Sequence, residues 1–183
     1  MTHAELVERA KRWLWGQQCG VVITELVTGC RETPDAIGWN ARGSILVECK
    51  TSSSDFYTDK RKPFRAMPEQ GMGNLRYFMA PKGVLRAESI PEGWGLIEPC
   101  GERVRYVVRA VKVWPACCAA ETRILVSAMR RMIVPAVDGV SCNVYQHTGR
   151  SLCTASVGVA REGFDPDEAE ARLREAWQEE EKP

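Results

Sequence analysis

The stretch from Thr33 to Lys50 puts the tightest limit on what this chain can fold into. It holds two short apolar runs, Ala36 to Trp39 and Ser44 to Cys49, separated by Asn40-Ala41-Arg42-Gly43. That is the chemistry of a four-residue hairpin loop. In such a hairpin the facing residues have numbers that sum to 83: Trp39 faces Ser44, Ile37 faces Leu46 and Asp35 faces Glu48. Two carboxylates then stand about 5 Å apart at their Cβ atoms on one face of the sheet. Side chains alternate along a strand, so Lys50 joins the face of Glu48 while Ile45, Val47 and Cys49 turn the other way into a core.

Facing like charges repel, and a divalent cation relieves the repulsion. Asp35 and Glu48 offer the hard oxygen ligands that Mg²⁺ or Mn²⁺ takes, leaving positions for water and a phosphate oxygen. Beside such an ion Lys50 would orient or help deprotonate an attacking water, or steady charge developing on the phosphate. Phosphodiester hydrolysis is the chemistry this trio suits. The plain alternative is an edge hairpin whose Glu48 and Lys50 are solvated surface charges.

Pro34-Asp35, followed thirteen residues after the aspartate by Glu48-Cys49-Lys50, resembles the PD-(D/E)xK nuclease superfamily. Glu25, Arg31 and the run from Lys50-Thr51-Ser52 to Asp55-Phe56 and Asp59-Lys60 are similar to its MmcB-like DNA repair nuclease branch. Leu75 to Met79 and Gly93 to Ile97 resemble strands of related bacterial and phage proteins, and the likeness spans about residues 3 to 110. It implies an α/β fold with a restriction-endonuclease-like core, a mixed sheet in αβββαβ order flanked by helices. It also implies a Mg²⁺- or Mn²⁺-dependent deoxyribonuclease in which Asp35, Glu48, Lys50 and Glu25 are catalytic. Asp35, Glu48, Glu25 and the Cys49 carbonyl would hold the metal, and DNA would be the partner, with RNA not excluded.

Net charge is only +1, yet it is unevenly spread. Residues 42–86 carry nine bases against four acids, whereas residues 162–183 carry nine acids against three bases. Basic charge therefore surrounds the candidate site, and an acidic tail hides it in the total. No run of eighteen apolar residues is present, which argues against a membrane span, and Met-Thr-His-Ala-Glu does not read as a signal peptide. A cytoplasmic protein is expected, with its eight cysteines as reduced thiols rather than a disulfide framework.

Along the chain, Leu6, Val7, Ala10, Trp13 and Leu14 recur at helical spacing, which predicts a helix over residues 3–16. The superfamily resemblance makes Glu5 on that helix a metal candidate, though an acid in a first turn is also plain helix chemistry. Gly20 to Thr28 reads as a strand with Glu25 in its middle, and register counting sets Glu25 opposite Ala36. Ser52, Ser53 and Ser54 offer an N-cap for a short helix through Phe56 and Tyr57 that ends by Pro63. In the nuclease reading Arg31, Ser52, Lys60, Arg61, Lys62, Arg65 and Arg76 contact nucleic acid, mostly through phosphates. Strands are expected at Leu75 to Ala80, Trp94 to Glu98 and Val104 to Val108.

The core is set at residues 1–115, and residues 116–183 form a small α+β extension of helix, hairpin and helix. The helix is expected over Cys117 to Ile133, the strands at Gly139 to Tyr145 and Leu152 to Val159, and the last helix from Asp165. This extension would dock on the core, make a homodimer surface or take a protein partner. Cys142, His147 and Cys153 do not have the spacing of a common zinc site. Two other functions fit the same fold, a catalytically inactive nucleic-acid-binding module and a phage-encoded interaction or inhibitor protein.

Overall fold

The computed structural model describes residues 1–30, 32–59, 67–133, 143–148 and 151–153, the last two stretches by their backbone. Helix α1 (His3–Gly16) opens with a reciprocal cap: Thr2 Oγ1 accepts from the Glu5 N–H, and the Glu5 carboxylate accepts from the Thr2 N–H. Strands β1 (Val21–Thr24), β2 (Ala36–Asn40) and β3 (Gly43–Cys49) follow as an antiparallel meander. Helix α2 (Ser53–Asp59) then lies in the connection from β3 to β4 (Leu75–Met79), which runs parallel to β3. Strand β5 (Trp94–Cys100) is parallel to β4, and β6 (Arg103–Val108) returns antiparallel at the edge.

The chain is therefore α/β, with a mixed sheet between helices. One face carries Ile45, Val47 and Cys49 and is covered by Leu6, Ala10 and Leu14 of α1. The other carries Ile37, Leu46 and Phe78 and is covered by Phe56 of α2 with Ile124 and Ala128 of α3 (Cys118–Ile133). Both faces of β3 are thus buried, and its run of Ile45, Leu46 and Val47 is continuous rather than alternating for that reason.

The sheet does not stop at β1. Strand β7 (Asn143–Thr148) pairs antiparallel with β1, and β8 (Ser151–Cys153) pairs with β7, giving the order β6-β5-β4-β3-β2-β1-β7-β8. The helix and hairpin beyond residue 115 thus build onto the same sheet. Strand β7 runs on to Thr148, past the expected Tyr145, and β8 is already paired at Ser151, before the expected Leu152; the rest of the two expected strands, 139–142 and 154–159, lies outside the described residues. The expected helix from Asp165 and Cys142 lie outside the described residues, as do the side chains of His147 and Cys153.

Two details of the hairpin reading change. The expected pairs do form, Trp39 with Ser44 and Ile37 with Leu46, but Asn40 also pairs with Gly43, so the loop is the two residues Ala41 and Arg42. Gly43 sits at φ +125°, a conformation that side chains rarely adopt, and Asn74 packs where a Cβ would stand. The first strand is also shorter than expected: it ends at Thr24, and Glu25 leaves it at φ +50°.

Candidate active site

β2 and β3 together set the positions of the acids. Asp35 lies one residue before β2 and continues its register towards the end of β3, where its Oδ2 accepts the Cys49 N–H at 2.6 Å. That bond fixes the carboxylate across the strand pair. Glu48 and Lys50 point to the α2 face and are buried, 2% and 4% exposed, so they are not solvated charges of an edge hairpin. The Lys50 Nζ is 3.3 Å from Glu48 Oε2 and 3.4 Å from Asp59 Oδ1, while its backbone N–H donates to Met79 O.

Asp59 was not among the expected site residues. It lies three residues after Phe56, the spacing that sets two side chains on one helix face, and both are buried against the sheet. Helix α2 therefore closes over Lys50 with an apolar anchor and a carboxylate.

Burial by itself would pull the Lys50 ammonium down, but Glu48, then Asp59 and Asp35, outweigh it and hold it above its ordinary 10.5. At neutral pH Lys50 is a cation and not a base. The Cys49 thiol is pushed the other way from reactivity: burial raises it well above 9.0, with Asp35 and Glu48 adding to the effect. Cys49 is thus a neutral core thiol.

The exposed rim of the site holds a second missed residue. His3 Nε2, in the first turn of α1, lies 3.3 Å from Glu25 Oε1 and 3.6 Å from Asp35 Oδ1. Glu25 reaches this place because β1 pairs Thr24 with Ala36, so Glu25 stands opposite Asp35 rather than Ala36, and its N–H donates to Asp35 O at 3.2 Å. No spacing in the sequence ties His3 to residues more than twenty positions away; only the packing of α1 on the sheet does so.

The remaining expected residues separate into three groups. Arg31, Lys60, Arg61, Lys62 and Arg65 lie outside the described residues. Glu5 and Ser52 are spent on helix caps, Ser52 Oγ accepting the Asp55 N–H at the start of α2. Arg76 is corrected outright: it is buried, and its guanidinium donates to the carbonyls of Pro68, Gly71 and Gly73. Those bonds tie down the loop before β4.

Comparison with known proteins adds the fold and nothing chemical. No family model matches the chain, and no curated protein matches it. A solved structure is similar, that of a protein of unknown function from Silicibacter pomeroyi. It aligns with a TM-score of 0.54 at 20% identity over 72% of this chain and 90% of its own. Among the described residues no helix is long and apolar enough to cross a membrane.

The donor set suits a hard divalent ion in kind, since Asp35, Glu48 and Glu25 all supply carboxylate oxygen. It is not a finished cage: among the described residues no three His, Cys, Asp or Glu groups are gathered to hold an ion. A Mg²⁺ site needs less than that, because this ion keeps several waters and is commonly bound through one or two carboxylates plus substrate phosphate.

Proposed function

We propose that this chain is a metal-dependent nuclease of the PD-(D/E)xK type that hydrolyses phosphodiester bonds in DNA. The observation that carries the reading is the buried Lys50 ammonium, held between Glu48 and Asp59 beside an Asp35 fixed by the Cys49 N–H. The element order α1-β1-β2-β3-α2-β4 supports it, being the αβββαβ order that the resemblance implies.

Asp35, Glu48, Glu25 and the Cys49 carbonyl would hold Mg²⁺ or Mn²⁺, which when bound supplies Lewis-acid charge for the phosphate and acidifies water. The chain's own residues do the rest. Asp35 keeps one orientation through its hydrogen bond to the Cys49 N–H, so the acid is preorganised. Lys50, protonated at neutral pH, orients the attacking water and offsets the negative charge that grows on the phosphoryl oxygens. Helix α2 keeps bulk water from Lys50, which strengthens that interaction.

The reading is tested by incubating labelled single-stranded, duplex and branched DNA with Mg²⁺, Mn²⁺ or EDTA, comparing wild type with Asp35→Ala and Lys50→Ala. Cleavage that needs metal and is lost in both variants is the expected result. A second reading, a silent nucleic-acid-binding module, is favoured by one feature: Asp59 and Glu48 both pair with Lys50 and take up its charge. Binding that falls steeply with salt, with no cleavage under any metal, would select it.

A further inference from the structure

We propose that the cleft between α2 and the 81–90 loop is a subsite for one unpaired base and its phosphate, making single-stranded DNA the substrate class. The inference rests on the nuclease reading for the fate of the strand, though not for its binding. The cleft measures about 320 Å³, within the lower range of small-ligand pockets and ample for a nucleobase. Ser53 and Tyr57 of α2 form one wall, and Val84, Arg86 and Ser89 form the other. Ser53 Oγ donates to Val84 O at 2.7 Å and ties the walls together.

Tyr57 is the natural stacking platform. It is 55% exposed, yet its ring is braced edge-on against Phe56, with centroids 5.5 Å apart. Phe56 in turn meets Phe78 at 4.9 Å, and Phe78 stacks on Trp94 at 4.4 Å. An exposed ring braced by an aromatic row running into the core loses little freedom when a base stacks on it. Arg86 on the facing wall is exposed and makes no ion pair among the described residues, so it can meet a phosphate.

Position completes the case. The helix that presents Tyr57 also carries Asp59 to Lys50, and the cleft lies past the C-terminal ends of β3 and β4, where open α/β sheets bind ligands. Helix α2 thus borders both the cleft and the candidate active site. A base held in a duplex is already paired and stacked, so it does not enter without being unpaired first.

The test is fluorescence anisotropy of labelled oligothymidylate, and of a blunt duplex, on the full chain in EDTA, with Tyr57→Ala, Tyr57→Phe and Arg86→Ala compared with wild type. Tyr57→Ala is expected to weaken single-strand binding about tenfold and Tyr57→Phe less than about twofold, with duplex binding unchanged. Arg86→Ala is expected to reduce the salt slope by about 0.7. Unaltered single-strand binding by Tyr57→Ala, or an equal loss on the duplex, overturns the proposal. Tyr57-dependent binding with no metal-dependent cleavage would defeat the nuclease reading alone; cleavage with no Tyr57 effect would defeat the subsite alone.

Discussion

β3 carries two buried polar centres on one face, Ser44 at its start and Glu48 at its end, and they are built on opposite principles. At Ser44 the charge is a single carboxylate, Glu121 of α3, met by neutral donors: Ser44 Oγ at 2.7 Å, the Gly73 N–H at 2.9 Å and Trp39 Nε1 at 3.0 Å. At Glu48 the partners are themselves charged, with Lys50 facing Glu48 and Asp59 while Asp35 stands close by. Neutral donors satisfy a carboxylate and lock three elements together, which is what a structural hub needs. Several acids around one ammonium instead leave negative charge in excess, which a folded chain retains at a cost unless a bound cation uses it.

The largest effect separates the two centres by activity. Lys50→Ala is expected to lower DNA cleavage by about 10²-fold or more, because it removes a preorganised charge from the transition state. Glu121→Ala is expected to leave cleavage per folded molecule unchanged. Equal loss of cleavage in both variants, measured at a temperature where both are folded, would erase the distinction between them.

Stability should divide them in the opposite sense from activity. Glu121→Ala strands the Trp39, Ser44 and Gly73 donors and is expected to cost about 2–4 kcal/mol in urea unfolding. Arg76→Ala belongs with it: three carbonyls lose their donor, for a loss of about 2–5 kcal/mol, while the salt slope of DNA binding stays as it was. A reduced salt slope in Arg76→Ala would return this residue to the nucleic-acid surface.

These contrasts also mark where the sequence could be read. The pairing of Trp39 with Ser44 and Ile37 with Leu46 followed from side-chain period and turn chemistry, since a slip of one residue would turn Glu48 into the α1 core. The bounds of α1 followed from its apolar spacing. Asp35, Glu48 and Lys50 were legible because one hairpin brings them together. Glu25 was placed one register step out, as nothing local announces that β1 ends at Thr24. Asp59, His3 and Glu121 reach their partners by the docking of helices on the sheet, and Arg76 by a loop that folds over it; no local period records such contacts. The same holds for β7, which finds the open edge of β1 more than a hundred residues away.

A smaller effect comes from pH. The folded Lys50 lies above its unfolded 10.5, so its contribution to stability is present in full below 10.5 and is lost as pH rises through the folded value. Urea unfolding of wild type and Lys50→Met should therefore show a constant gap from neutral pH to about 10, narrowing above 10.5. The Cys19 thiol, which burial pushes up to about 11, titrates alike in both proteins and cancels from the gap. A gap that widens with pH would mean that Lys50 is not held as a cation by Glu48 and Asp59.

The smallest effect on stability, and the sharpest on assignment, belongs to His3. Its imidazole and the Glu25 side chain are each about half exposed, 44% and 51%, so His3→Ala should change unfolding free energy by less than about 1 kcal/mol. The same imidazole touches both Glu25 and Asp35, and a group that orients metal-binding carboxylates typically controls affinity by about tenfold or more. Mn²⁺ titration of wild type and His3→Ala, followed by the metal's own spin resonance, should thus show weaker binding in a variant whose fold is undisturbed. Equal affinities would reduce His3 to a surface contact of α1 and confine the charged centre to Asp35, Glu48, Lys50 and Asp59. A loss of affinity matched by a comparable loss of stability would place His3 with Glu121, among the residues that hold the sheet and its helices together.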